Sequence, residues 1–231
     1  MPDPAPNAEL MRALGRLVRG LSALFWGLPA ALVVCFYVAR FDSLQLFGIL
    51  PPLISMGLLT FGLWQLGAFQ RQERVWRSAL DVARLLSLVN LGLSPFLYWS
   101  SKIPGNGFFL AMVLMLEVSA LLFLASLNVV LQRLGAMLPD EALRVEIKQF
   151  TRLNLNLLGV SFFLGAAYLI LRRLPDLPPP VELVLEILGQ RGELWLHVML
   201  IPLVLLPLAM TMALLWKTKE VILDSVFGAK P

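Results

Sequence analysis

The chain has little charge and few of the side chains from which most catalytic centres are built. Only 15% of its 231 residues are charged, whereas about a quarter are charged in a typical soluble domain. It contains one cysteine, Cys35, and one histidine, His197. A single cysteine excludes an intrachain disulfide, and this pair supplies too few ligands for a typical zinc site. We therefore expect no bound metal and no cofactor.

Common enzyme motifs are also missing from the sequence. It contains no HExxH, GxSxG, GxGxxG, Walker or CxxC motif, and this favours a protein that is not an enzyme. Its calculated isoelectric point of about 9.6 raises the question of nucleic acid binding. Because the basic residues flank apolar stretches, membrane lipids with anionic headgroups are the better explanation, and no nucleic acid partner is expected.

What the sequence does contain is six long apolar stretches. Only the fourth carries a charged residue, Glu117. A helix needs about 20 apolar residues to cross the hydrocarbon core of a bilayer, and a membrane barrel would need short, alternating strands instead. The sequence therefore predicts an all-α integral membrane protein with a single membrane domain. The six transmembrane helices are expected at about 20–39, 44–66, 85–101, 107–131, 153–171 and 194–216.

The basic residues lie mostly on one side of these spans. If the N-terminus is inside, the inner segments hold 14 of the 19 Lys and Arg residues. Cytoplasmic loops of membrane proteins are enriched in these two residues. The distribution predicts a multi-pass protein of the bacterial cytoplasmic (inner) membrane, with both termini in the cytoplasm.

Two inner segments have the pattern of amphipathic helices. In residues 8–19 and 140–152, large apolar side chains recur on one face beside a stripe of basic ones. This pattern is typical of interfacial helices that lie in the headgroup layer. We expect the basic stripes to face lipid headgroups or a cytoplasmic partner. Their members are Arg12, Arg16, Arg19, Arg144, Lys148 and Arg152.

A short motif recurs three times along the chain. Gly20-Leu21-Ser22, Gly92-Leu93-Ser94 and Gly159-Val160-Ser161 each follow an arginine by seven or eight residues. Their spacing matches a division of the six spans into three helical hairpins. Because Gly, Leu and Ser are common in membrane helices, coincidence is the alternative explanation.

Glu117 is the one acidic residue expected deep in the membrane. It follows the start of the fourth span by about 15 Å, at 1.5 Å per residue. A charge at that depth costs about 3 kcal/mol, so the carboxyl group must be protonated, paired or in contact with water. Asn90 in the third span is expected at a similar depth and is the best-placed partner. His197 is a weaker candidate, since its position near the outer end of the sixth span is typical of an interfacial histidine.

Asparagines form a further group, toward the inner ends of the fourth and fifth spans. Asn128, Asn154 and Asn156 lie there. They are expected either to form hydrogen bonds between helices or to line an inner vestibule.

Two hypotheses about function are consistent with these features. The first is a subunit or scaffold of a membrane assembly, which binds other membrane subunits or associates with itself. Its basis is the combination of short loops, absent enzyme motifs and few buried polar residues. The alternative is a small proton- or cation-coupled transporter or channel in which Glu117 carries the ion. The two differ in what Glu117 faces.

Overall fold

The computed structural model describes residues 5–40, 47–70, 72–138, 141–171 and 192–227, and within these ranges the regular structure is helical, with no strand. This confirms the predicted all-α class. The helices of the described ranges are α1 (Ala5–Arg40), α2 (Leu50–Leu66), α3 (Arg74–Leu93), α4 (Pro95–Lys102), α5 (Gly107–Met137), α6 (Glu141–Leu171) and α7 (Gly192–Phe227).

Among the described residues, three helical stretches are long and apolar enough to cross a membrane, by length and composition. They are Met11–Ala39, Arg74–Lys102, which joins α3 and α4, and Gly107–Met137. Large apolar side chains also cover the outside of the bundle, and Ile54 and Phe163 are 69% and 72% exposed. Soluble monomers rarely expose large contiguous apolar patches. Helix length and surface therefore both agree with the predicted membrane domain.

The helices pack in a ring in which neighbours along the chain are also neighbours in space. α1 contacts α2, α2 contacts α3, α3 contacts α5, α5 contacts α6, α6 contacts α7, and α7 returns to α1. Pairs such as Gly135 with Ile147 and Glu146 with Lys217 show that α5, α6 and α7 alternate in direction. The starts of α1, α3 and α6 thus lie at the same end as the ends of α2, α5 and α7. We call this end of the bundle the basic end, because its helix turns carry most of the arginines and lysines.

α1 and α2 pack closely against each other at Gly20. A Cβ added to Gly20 would lie 2.7 Å from the carbonyl oxygen of Gly62. Small residues allow membrane helices to pack backbone against backbone. At Gly92 and Gly159, the counterparts of Gly20 in the recurring motif, an added Cβ would meet nothing within 4 Å. The three glycines therefore do not share a packing role.

Prolines begin two of the helices. α2 starts at Leu50 rather than at residue 44, with Pro51 and Pro52 in its first turn, where proline's missing N–H is not needed. Residues 44–46 of the predicted span lie outside the described ranges. Pro95 begins α4 and cannot donate to the carbonyl of Leu91, four residues earlier. The Ser94 hydroxyl donates to that carbonyl instead, at 2.9 Å.

The two segments expected as separate interfacial helices are parts of longer ones. Residues 8–19 belong to α1, and residues 141–152 belong to α6. Arginine, lysine and glutamate favour helix, so the charged turns continue the apolar helices instead of ending them. Within these segments, Leu17 and Ile147 are at most 1% exposed and belong to the hydrophobic core. These two side chains therefore pack against other helices of the bundle, whereas Phe150, one turn after Ile147, is 36% exposed.

Candidate functional site

Glu117 lies on the surface of the bundle. Its side chain is exposed, whereas the preceding Leu116 is 4% exposed and faces inward. Within the described part of the chain, the carboxyl group has no hydrogen bond and no ion pair. Among the exposed apolar side chains of α5, Leu110 lies on the same face two turns earlier, Val118 follows Glu117 directly, and Met115 and Leu122 lie farther round the helix.

Asn90, the predicted partner of Glu117, is directed differently. It is 2% exposed on α3, and its Oδ1 atom has no hydrogen-bond partner among the described residues. The Oγ atom of Ser119, buried on the adjoining α5, has none either. The structure thus does not join Asn90 to Glu117, since one side chain is buried and the other is exposed.

A buried polar cluster, which we call the Asn128 cluster, joins α5, α6 and α7. Its members are Asn128, Asn154 and Thr211, each 0% exposed. The Nδ2 atom of Asn154 lies 2.9 Å from Asn128 Oδ1, 2.9 Å from Thr211 Oγ1 and 3.0 Å from the Pro207 carbonyl oxygen. The Nδ2 atom of Asn128 donates to Thr211 Oγ1 at 2.9 Å, and the Thr211 hydroxyl donates to the Pro207 carbonyl at 2.7 Å.

The geometry of this cluster indicates a connection between helices. Its side chains are excluded from solvent, and their donors are directed at acceptors on neighbouring helices, whereas Asn154 Oδ1 has no hydrogen-bond partner among the described residues. Of the two expectations for the asparagines, hydrogen bonding between helices is therefore the one observed for Asn128 and Asn154, while Asn156 is exposed. Thr211 was missed by the sequence reasoning, because a lone threonine in an apolar helix has no distinguishing pattern.

The six basic side chains predicted to face lipid or a partner are all exposed. None of them forms an ion pair with a described residue. Arg144 donates to the carbonyl of Leu138 at 3.2 Å. The ion pairs found in the described ranges are Lys217 with Glu146, which links α7 to α6, and Arg84 with Asp81 within α3.

Arg84 caps the end of α2. Its Nε and Nη2 atoms donate to the carbonyl of Leu63, and Nη2 also donates to that of Trp64, at distances of 3.3–3.4 Å. The guanidinium carbon lies 5.5 Å from the centre of the Trp64 ring. A cation stabilises the unpaired carbonyls at the end of a helix. The sequence alone did not predict this contact.

Two further residues of the sequence analysis are the single histidine and the single cysteine. The side chain of His197, on α7, lies outside the described part of the chain, and Cys35 is partly buried against the core. No three His, Cys, Asp or Glu side chains among the described residues lie close enough to hold a metal ion.

No protein-family model, curated protein or solved structure matches this chain. The fold and the site must therefore be interpreted from their own geometry.

Proposed function

We propose that the chain is a multi-pass subunit of a membrane assembly, without enzymatic activity. In this proposal α1, α2, α3 with α4, α5, α6 and α7 form six spans in the bacterial inner membrane. The basic end and both termini face the cytoplasm. Three membrane-length apolar stretches and the uneven distribution of arginine and lysine support this orientation.

The observation that carries the proposal is the exposure of Glu117. A carboxyl group on the lipid-facing side of a helix, about 15 Å from its start, is unfavourable in hydrocarbon, where charge costs about 3 kcal/mol. The group finds no partner among the described residues. A helix of another chain that presents a hydrogen-bond donor at this depth would remove the cost.

The side chains around Glu117 suit such a contact. Leu110, two turns before Glu117, lies on the same face of α5, and Val118 follows Glu117 directly. These two side chains are 58% and 40% exposed, and they form an apolar surface interrupted by one carboxyl group. We call Leu110, Glu117 and Val118 the Glu117 surface. The occupant we propose is therefore a transmembrane helix, from another subunit or from a second copy of this chain.

The alternative, a proton- or cation-coupled transporter or channel, receives less support. A route through the bundle would need polar groups that face one another along its interior. Glu117 is exposed, Asn90 is buried apart from it, and the Asn128 cluster is buried with its donors bonded between helices. No observation in the described ranges favours this second function.

Cross-linking in native membranes tests the subunit proposal. Cys35 is the only cysteine, so Cys35→Ala gives a background in which Val118→Cys introduces a single thiol on the Glu117 surface. Phe163→Cys on α6 places a thiol at a more exposed apolar site, 72% against 40% for Val118, as the control. We expect a thiol-reactive cross-linker to join Val118→Cys to one defined protein, and Phe163→Cys to none.

Adding Glu117→Leu to the Val118→Cys variant should abolish that product. Adding Glu220→Gln, which removes an exposed acid on α7, should leave it unchanged. Equal cross-linking with and without Glu117 would contradict the proposal. A proton or cation flux in proteoliposomes that requires Glu117 would favour the transporter instead.

A further inference from the structure

A cavity of about 430 Å³ opens at the basic end, between α1, α2 and the start of α3. This volume lies in the range of small-molecule sites, roughly 300–1,000 Å³. Three arginines line it, one from α1 and two from α3, together with four aromatic side chains. They are Arg16, Arg77, Arg84, Phe61, Trp64, Phe69 and Trp76.

The three arginines have different roles in the cavity wall. Arg84 is held by its hydrogen bonds to the end of α2 and by Asp81. Arg16 and Arg77 are exposed and form no ion pair with a described residue. Asp81 is the only acid in α3 and is already paired with Arg84. The cavity therefore offers two free guanidinium groups with no acid in its wall, a combination suited to a phosphate group.

Two close contacts hold the wall of the cavity in place. The Trp76 indole donates to the carbonyl of Phe69 at 3.2 Å, which ties α3 to the connection from α2. A Cβ added to Gly67 would lie 1.7 Å from Arg84 Nη2. Glycine at this position therefore gives Arg84 the room to reach the end of α2.

An apolar stripe on α2 leads to the cavity from the lipid-facing side. Ile54, Leu58 and Phe61 are 69%, 36% and 51% exposed, and their spacing of four and three residues aligns them on one face. Phe61 belongs to both the stripe and the cavity wall. A molecule with a phosphate head and acyl chains would match both features, whereas free phosphate would use only the cavity.

We propose that this cavity binds the phosphate headgroup of an anionic phospholipid, with Arg16 and Arg77 on the phosphate and the acyl chains along the stripe on α2. The proposal rests on the membrane location and orientation given above, because the basic end must face the cytoplasmic leaflet with its anionic lipids. It does not depend on the Glu117 surface.

Native mass spectrometry of the full chain in mild detergent tests the site, with phosphatidylglycerol as the probe and phosphatidylcholine as the neutral reference. The double variant Arg16→Gln/Arg77→Gln removes both free cations. The matched control, Arg12→Gln/Arg74→Gln, removes two exposed arginines from the same helices that do not line the cavity. We expect the dissociation constant for phosphatidylglycerol to rise about tenfold in the first variant and less than about twofold in the control.

Thermal unfolding of the wild type provides a readout that does not depend on the variants' folding. Phosphatidylglycerol should raise the unfolding temperature more than phosphatidylcholine does, because a ligand of the folded state stabilises it. Equal losses of binding in the two double variants would overturn the site in favour of general charge attraction. Stabilisation by inorganic phosphate as large as that by the lipid would overturn the lipid assignment.

Glu117→Leu separates this proposal from the subunit proposal. The variant should bind phosphatidylglycerol as the wild type does, while losing the cross-linked product at Val118→Cys. Loss of lipid binding in Glu117→Leu would contradict a cavity site that is independent of the Glu117 surface.

Discussion

Asn128 and Glu117 are polar residues on the same helix, α5, but the first is buried and the second is exposed. They are eleven positions apart on α5, about three turns or roughly 16 Å, so they point in similar directions. Asn128 is 0% exposed and hydrogen-bonded to Thr211 and Asn154. Glu117 is exposed without a partner among the described residues. A polar side chain of α5 thus connects helices within the chain at Asn128, whereas at Glu117 it stays exposed, where we propose a contact with another chain.

Removing the amide of Asn154 should be the most damaging change to the Asn128 cluster. Asn154→Ala leaves Asn128 Oδ1 without its donor and creates a small cavity between α5, α6 and α7. Unpairing a buried polar group costs about 1–3 kcal/mol, so the free energy of unfolding should fall by about that amount. Chemical unfolding in detergent measures it. Asn156→Ala, at an exposed position on the same helix, is the control and should change stability by less than about 0.5 kcal/mol. Equal effects at the two positions would show that the cluster does not hold the helices together.

A substitution at Gly20 tests helix packing inside the bundle at a position without polar side chains. Gly20→Ala would force its Cβ against the Gly62 carbonyl, 2.7 Å away, and the backbone of α2 has to move. Overpacking of this kind costs about 1–3 kcal/mol, and we expect an effect near the lower end of that range in the same unfolding assay.

Gly92→Ala is the matched control for this change. The added methyl group there meets nothing within 4 Å, and alanine favours helix by about 1 kcal/mol over glycine. We therefore expect Gly92→Ala to leave stability unchanged or to increase it. A loss as large as that of Gly20→Ala would mean that the recurring motif has a common packing role.

The sequence predicted the helices well because apolar length is a strong signal. It predicted their ends less well. The charged turns before residue 20 and after residue 216 favour helix as strongly as the apolar ones do, so α1 and α7 run on through them. Amphipathic spacing identified the face that carries Leu17 and Ile147, but spacing alone does not distinguish a face that meets lipid from one that meets another helix.

Whether the Glu117 side chain points into the bundle or away from it could not be predicted from the sequence, for a related reason. α5 is apolar on every side, with exposed Met115 and Val118 as hydrophobic as buried Leu116 and Phe123. A helix without a polar face does not indicate which side packs inward. Asn128 and Asn154 were recognised as a group by their depth alone, and their contact with Thr211 required the arrangement of three helices.

The ion pair between Lys217 and Glu146 is intermediate between buried Asn128 and exposed Glu117, because it is formed within the chain but remains in contact with solvent. The two side chains are 45% and 35% exposed. Exposed pairs contribute at most about 1 kcal/mol and are screened by salt. Lys217→Gln should lower the free energy of unfolding by about 0.5 kcal/mol at low salt, and by less at high salt. Lys148→Gln, which removes an unpaired lysine, is the control, and an equal loss there would argue against a specific contribution of the pair.

Glu117→Gln should have the smallest effect of these substitutions on the stability of the isolated chain. It therefore tests directly whether Glu117 and Asn128 have different roles. Because no described residue forms a hydrogen bond or an ion pair with the carboxyl group, the free energy of unfolding in detergent should change by less than about 0.5 kcal/mol. The amide keeps a hydrogen-bonding group, so association through the Glu117 surface should weaken in Glu117→Gln and be lost in Glu117→Leu. A destabilisation of the monomer as large as that of Asn154→Ala would place a partner for Glu117 within the chain, and the two residues of α5 would then have the same role. Unchanged stability with lost association means instead that one helix divides its polar groups, with Asn128 holding the bundle together and Glu117 binding another chain.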